Sequence, residues 1–266
     1  MNDMLQENEC TTKYGTISYY QQNGTPNHIF IHGLGGQKDL FLGLFDFSFS
    51  QKKGILCIDL LGHGKSSRIA RNLTYTFDLQ AEALKELFLK LDIKKINLVL
   101  HSMSSALLPH ILKFEDVKIS QIFLLEGNLI EEDTDWSHSI SVMSDIEYKT
   151  YFEKLQKYSD RILARQLRST HPSERIKKWS QCFVNTDQRA LRETSQELCK
   201  VTFKGDIVNT LHDFSGRIVY FKSTENEEWN GYEILKKIGA EVINIKNAGH
   251  YLMLDNPKFV YSKIFE

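Results

Sequence analysis

The chain reads as an α/β protein with a mostly parallel central sheet flanked by helices and a helical insertion late in the order. Three observations predict it. Short apolar runs recur along the chain, too short for helices and suited to buried strands. A helix-periodic segment stands between two of them, giving the strand–helix–strand order of a parallel sheet. The alternation is then interrupted by a long, charged, helix-periodic stretch without a strong strand, and afterwards resumes. The expected organisation is a core of residues 1–127 and 206–266 with an inserted helical cap at 128–205.

In order, Tyr14–Tyr20 alternates and is β-branched or aromatic, which reads as the first strand. His28–Ile31 is a buried strand that opens into His32-Gly33-Leu34-Gly35-Gly36, where glycines let a ligand approach main-chain N–H groups. That loop is either a flexible connection or a source of oxyanion donors. Gly54–Asp59 is the next strand, followed by Leu60-Leu61-Gly62-His63-Gly64-Lys65-Ser66. This loop lacks the Walker and dinucleotide glycine spacings, and His63 has no companion ligands in sequence, so it reads as structural. Asp78–Asp92 is a helix with Leu79, Ala83, Leu87 and Leu91 on one face and Thr76 or Asp78 as its cap.

Ile96–Leu100 leads into His101-Ser102-Met103-Ser104-Ser105 and a helix-compatible run. This is strand, sharp turn, helix, with Ser102 at the apex. Gln121–Leu125 runs into Glu126-Gly127-Asn128. The insertion carries helical segments at 148–167, 174–179 and 188–198. Its acidic entry, Glu131-Glu132-Asp133 and Asp135, lacks the spacing of an oxygen-ligand metal loop and reads as a solvated loop. Trp136, Met143, Tyr148, Tyr151 and Phe152 either line an acyl pocket or pack the helices together. Gly216–Phe221, a helix at 233–238 and Glu241–Ile245 resume the core. The chain then enters Asn247-Ala248-Gly249-His250 and a short closing helix after Pro257.

The 266 residues suffice for a sizeable core, and a net charge of −1 gives no electrostatic case for nucleic acid. The four cysteines form no C-x-x-C pair and read as reduced thiols, two disulfides being the alternative. The first residues lack a signal peptide's apolar run, and no stretch approaches the about 18 apolar residues of a membrane span. The expectation is a soluble cytoplasmic protein.

His32-Gly33, Ser102, Glu126 and His250 each follow an apolar strand. In a parallel sheet such positions gather at one edge. A serine needs a general base, an orienting acid and oxyanion donors to act as a nucleophile. Four blocks, HGLGG (32–36), DLLGHGKSS (59–67), LVLHSMSS (98–105) and NAGHYLMLDNP (247–257), resemble the α/β-hydrolase fold superfamily in its own order. The resemblance covers nearly the whole chain outside the cap. It implies Ser102 as nucleophile, His250 as general base and the N–H groups of Leu34 and Met103 as oxyanion donors, with no cofactor or metal.

The chain departs from the pattern twice. The G-x-S-x-G elbow has Leu100 and Ser104 in place of its glycines. The usual aspartate after the seventh strand is replaced by Asn226, which cannot carry the charge that stabilises an imidazolium. The resemblance offers Glu126 instead, because a subset that includes haloalkane dehalogenases carries a glutamate just after the sixth strand. Glu225 or Glu227 is the alternative. Dehalogenases use an aspartate nucleophile, so Ser102 points to acyl transfer. The resulting expectation is hydrolysis of a small apolar carboxylic ester or thioester through an acyl-enzyme. A ligand-binding protein on the same fold, and a C–C bond hydrolase or lyase with the same triad, are the alternatives.

Overall fold

The computed structural model describes residues 5–223 and 229–266. Eight strands form one sheet: β1 (Leu5–Thr12), β2 (Gly15–Gln22), β3 (His28–Ile31), β4 (Ile55–Ile58), β5 (Lys95–His101), β6 (Lys118–Leu125), β7 (Arg217–Ser223) and β8 (Glu241–Ile245). Their order is β1-β2-β4-β3-β5-β6-β7-β8. The first two pairings, β1 with β2 and β2 with β4, are antiparallel, and the remainder are parallel. β3 and β4 are buried at every residue, as strands covered on both faces must be.

The sequence reading has no strand before Tyr14, yet β1 lies there. Its sequence, LQENECTT, is mostly polar because it is the sheet edge and buries only Cys10 and Thr12. It joins β2 through a turn in which Gly15 takes φ +141° and Thr12 Oγ1 donates to the Gly15 carbonyl at 2.7 Å.

Helix α1 (Phe77–Lys90) packs Leu79, Ala83, Leu84, Leu87 and Phe88 inward, and the Thr76 hydroxyl caps it by accepting from Leu79 N. After Ser102 the chain makes a 3-10 turn over Ser102–Leu107 before α2 (Leu108–Ile111). Pro109 in the first turn of α2 has no N–H to donate back to Ser105, which separates the turn from the helix.

Between β6 and β7 lie a 3-10 turn (Glu131–Thr134) and helices α3 (Asp135–Ser141), α4 (Asp145–Lys157), α5 (Ser159–Ala164), α6 (Ser173–Val184), α7 (Gln188–Phe203) and α8 (Asp206–Asp213). α3 packs on α7 and α5 on α6, while α8 returns to α2. This helical layer is tied to the sheet's loops: Asp187 N donates to Gly62 O at 2.7 Å and Asn185 Nδ2 to Gln37 Oε1 at 3.0 Å. Gly62, at φ +82°, cannot be replaced freely because an added Cβ would lie 2.5 Å from Ala190 Cβ. After β7 come α9 (Gly231–Lys237), α10 (Leu252–Asp255) and α11 (Pro257–Phe265).

One buried ion pair braces the loops under the site. Asp59 accepts from Lys38 Nζ and Lys38 N, both at 2.6 Å, and from Lys65 N at 2.9 Å. Among the described residues, no helix is long and apolar enough to cross a membrane.

Candidate active site

The parallel strands set their carboxyl ends along one edge, and a cavity of about 270 Å³ opens there. Leu34 follows β3, Ser102 and Met103 follow β5, Glu126 and Asn128 follow β6, and His250 follows β8, and all line the cavity. The sequence-selected residues are therefore brought together.

Ser102 adopts φ +53°, the left-handed backbone that raises a side chain on a tight turn. The turn is crowded. An added Cβ at Gly33 would lie 2.8 Å from Ser102 Cβ and 2.9 Å from His101 Nδ1. Ser104 fits where the pattern has glycine because its hydroxyl is hydrogen-bonded, donating toward Ile31 O (3.0 Å) and His101 O (2.9 Å). Leu100 is fully buried, paired in register with Ile31 and Leu124, and does not line the cavity. The bulky flank is absorbed by the sheet.

Met103 stands in the first turn after the elbow, where helical N–H groups lack intrahelical acceptors. Among the described residues, neither its amide nor that of Leu34 is spent on a protein acceptor. The HGLGG loop is fixed by His32, whose Nε2 accepts from Leu60 N at 3.1 Å while Nδ1 faces Gly33 O at 2.8 Å. His63 packs on His32 with ring centroids 5.0 Å apart and turns Nδ1 to Leu61 O, so its role here is packing.

His250 is half-buried, its ring 4.9 Å from that of His101, which meets the His250 carbonyl through Nε2 at 3.0 Å. Burial first, and the Lys222 charge second, lower the His250 pKa to about 4, so the imidazole is neutral at pH 7. Its loop is held by Asp255, which accepts from Gly249 N at 2.8 Å, from Ser169 N at 2.9 Å and from His171 Nε2 at 3.2 Å.

The polar contacts differ from a closed triad. Ser102 Oγ lies 3.5 Å from Asn128 Oδ1, and no hydrogen bond joins Ser102 to His250 or His250 to Glu126. Glu126, at φ +49°, pairs instead with Lys222 Nζ at 3.0 Å and accepts from Ser223 N. Glu225, Glu227 and Asn226 lie outside the described residues.

Sequence reasoning missed Lys222, Asn128 and Ser137. A lysine closing the apolar run Ile218–Phe221 was the available signal for the first. The acidic entry loop exposes Glu131, Glu132 and Asp135, and part of it also borders the cavity. Glu132, Asp133 and Asp135 line the cavity wall, and Asp133 is tied down by Leu129 N, Ile130 N and Trp229 Nε1. Of the five large apolar residues named for a pocket, Trp136 lines it; Tyr148 and Phe152 are buried in the helical layer.

A family model for the alpha/beta hydrolase fold matches residues 29–257, and the chain belongs to this family. No curated protein matches it by sequence. Among solved structures it is similar to an esterase from Exiguobacterium antarcticum, at 13% identity over 99% of this chain and 98% of that one, with a TM-score of 0.77. A thermophilic esterase from Thermogutta terrifontis is similar at 15% identity over 97% and 96%, with a TM-score of 0.76. A haloalkane dehalogenase loop variant from Bradyrhizobium elkanii is similar at 18% identity over 98% and 96%, with a TM-score of 0.75. At these identities the likeness is one of fold.

Proposed function

We propose that this chain is a serine hydrolase that cleaves a carboxylic ester or thioester through an acyl-enzyme. The observation that carries the reading is the meeting of Ser102, on a left-handed elbow, with a neutral His250 and two unspent amides in one cavity. In this reading Ser102 Oγ attacks the carbonyl carbon and its proton passes to His250. The tetrahedral oxyanion is held by the Leu34 and Met103 amides. His250 returns the proton to the leaving alcohol or thiol, then activates the water that releases the acid. Glu126 is the orienting acid. Its carboxylate lines the same cavity as His250, and in this reading it engages the imidazole in the substrate complex, since catalytic hydrogen bonds in empty sites are often long.

A fluorophosphonate probe tests the reading. The wild type is expected to be labelled and Ser102→Ala not. Glu126→Gln is expected to lower kcat about 100-fold or more; full activity in that variant moves the acid to Glu225 or Glu227. A second reading, a ligand-binding protein on the same fold, draws support from the Ser102–Asn128 and Glu126–Lys222 contacts. An unlabelled wild type would favour it.

A further inference from the structure

We propose that the cavity selects substrates bearing a positively charged ammonium group close to the scissile bond, an inference that rests on the hydrolase reading above. The apolar substrate expected from sequence does not suit this lining. Among the described residues, four carboxylates, Glu126, Glu132, Asp133 and Asp135, line the cavity with one ammonium, Lys222. Lys222 is consumed by Glu126 at 3.0 Å, and His250 is neutral at pH 7, so neither offsets the other three.

These three stand on one wall, and that wall adjoins Ser102. Asn128 bridges them: its Oδ1 lies 3.5 Å from Ser102 Oγ, and its Nδ2 donates to the Asp133 carbonyl. Asp133 has structural duties, holding Leu129, Ile130 and Trp229. Glu132 has only the Asn230 amide, and Asp135 has no side-chain partner among the described residues. Asp135 is the first residue of α3.

An independent observation indicates that this wall faces a ligand. Ser137, on the first turn of α3, lines the cavity, is 4% exposed, and its hydroxyl has no partner among the described residues. Its oxygen opens onto the cavity, where a bound group can complete it. Trp136 adds an aromatic surface beside it, the other group that attracts ammonium ions. A cation entering here gains Coulomb attraction from three carboxylates on one wall, of which Glu132 and Asp135 are exposed.

The test compares three thioacetates of matched length, carrying a 2-trimethylammonioethyl, a 3,3-dimethylbutyl and a 2-carboxyethyl group on sulfur. The expected order of kcat/KM at low salt is cationic, neutral, anionic, with about a 10-fold gap between the first two. The gap should narrow as salt rises, since Glu132 and Asp135 are exposed at the rim. It should fall to near parity in the Glu132→Gln/Asp135→Asn double variant. Turnover of the neutral or anionic ester with equal or higher kcat/KM overturns the inference while leaving the hydrolase reading intact. Calorimetry on Ser102→Ala with choline and 3,3-dimethylbutan-1-ol reads the same preference without turnover. Tighter choline binding supports the cation site even if no ester is cleaved, and equal binding overturns it.

Discussion

Replacing Lys222 with Met separates the roles of the lysine that lines the cavity. Lys222 Nζ lies 3.0 Å from Glu126 Oε2, with the two side chains 7% and 10% exposed, and also stands 5.0 Å from the centre of the Trp229 ring. Removing it strands a buried carboxylate, leaving Ser223 N as its donor among the described residues. Breaking one side of such a pair costs about 3 to 5 kcal/mol, which at ~2 to 4 °C per kcal/mol for a chain of this size lowers Tm by roughly 6 to 20 °C. The second consequence is on His250. Burial is the main cause of its pKa of about 4 and the Lys222 charge is the second. Losing the charge raises that pKa toward, without reaching, the ordinary imidazole value of about 6.5. A base must be unprotonated to act, so the acidic limb of kcat/KM should move from near pH 4 to higher pH in Lys222→Met and stay in place in Lys222→Arg. Thermal melts and a kcat/KM profile from pH 3.5 to 8 read both effects. An acidic limb that is the same in wild type and Met variant, with an unchanged Tm, would refute the account of the pair.

Four further outcomes follow from the same contacts. Acidification should destabilise the fold, because burial holds the pKa of His28 and His32 at about 4 and of His63 and His101 at about 3. The unfolded chain binds those protons first, so stability is full above about pH 6.5 and falls by about 1.4 kcal/mol per pH unit for each such histidine below it; urea midpoints between pH 7 and 5 measure this. Gly33→Ala should abolish most activity and cost about 1 to 3 kcal/mol, since its Cβ meets Ser102 Cβ at 2.8 Å and the His101 carbonyl at 3.1 Å; wild-type rates in that variant would count against the elbow's crowding. Ser104→Gly should retain activity but lose about 1 kcal/mol with the hydroxyl's contacts to Ile31 O and His101 O, as urea unfolding would show. Asp255→Ala should lower kcat more than it changes KM, because Gly249 N, Ser169 N and His171 lose one shared acceptor and the loop carrying His250 loosens.

Much of the fold was legible because parallel strands buried on both faces leave continuous apolar runs, and each of the runs at β3, β4, β5, β6 and β7 carries one. β1 was not, since an edge strand needs few apolar residues: Gln6, Glu7, Asn8 and Glu9 leave no alternation to read. The 3-10 helix at Lys38–Asp46 escaped for a related reason. Its register is fixed by the Lys38–Asp59 pair, a contact between residues on separate loops. Convergence at the sheet edge followed from topology, so Ser102, His250, Glu126, Leu34 and Met103 could be placed together in advance. Hydrogen-bond partners could not, because they depend on rotamers and on neighbours distant in sequence. Nothing local to Glu126 says that Lys222, across the adjacent strand, reaches its carboxylate.

The elbow shows why a motif can lose both glycines and keep its geometry. Glycine is demanded where a Cβ would collide or where φ is positive, and at this turn those two demands fall on other residues. The positive φ is carried by Ser102 itself, and the collision would occur at Gly33 on the facing loop. Leu100 meets neither condition: it is a regular strand residue between Ile31 and Leu124, and its side chain adds to the core. Ser104 meets the closer packing with a side chain one hydroxyl larger than alanine, and that hydroxyl bonds the carbonyls of Ile31 and His101, joining β3 to the end of β5. The physical requirement for a raised serine is therefore a small residue opposite the turn, and here Gly33 supplies it from the loop that also carries the Leu34 amide. Any substitution that fills Gly33 moves the serine and that amide together, so elbow and amide donor behave as one unit with a single point of failure.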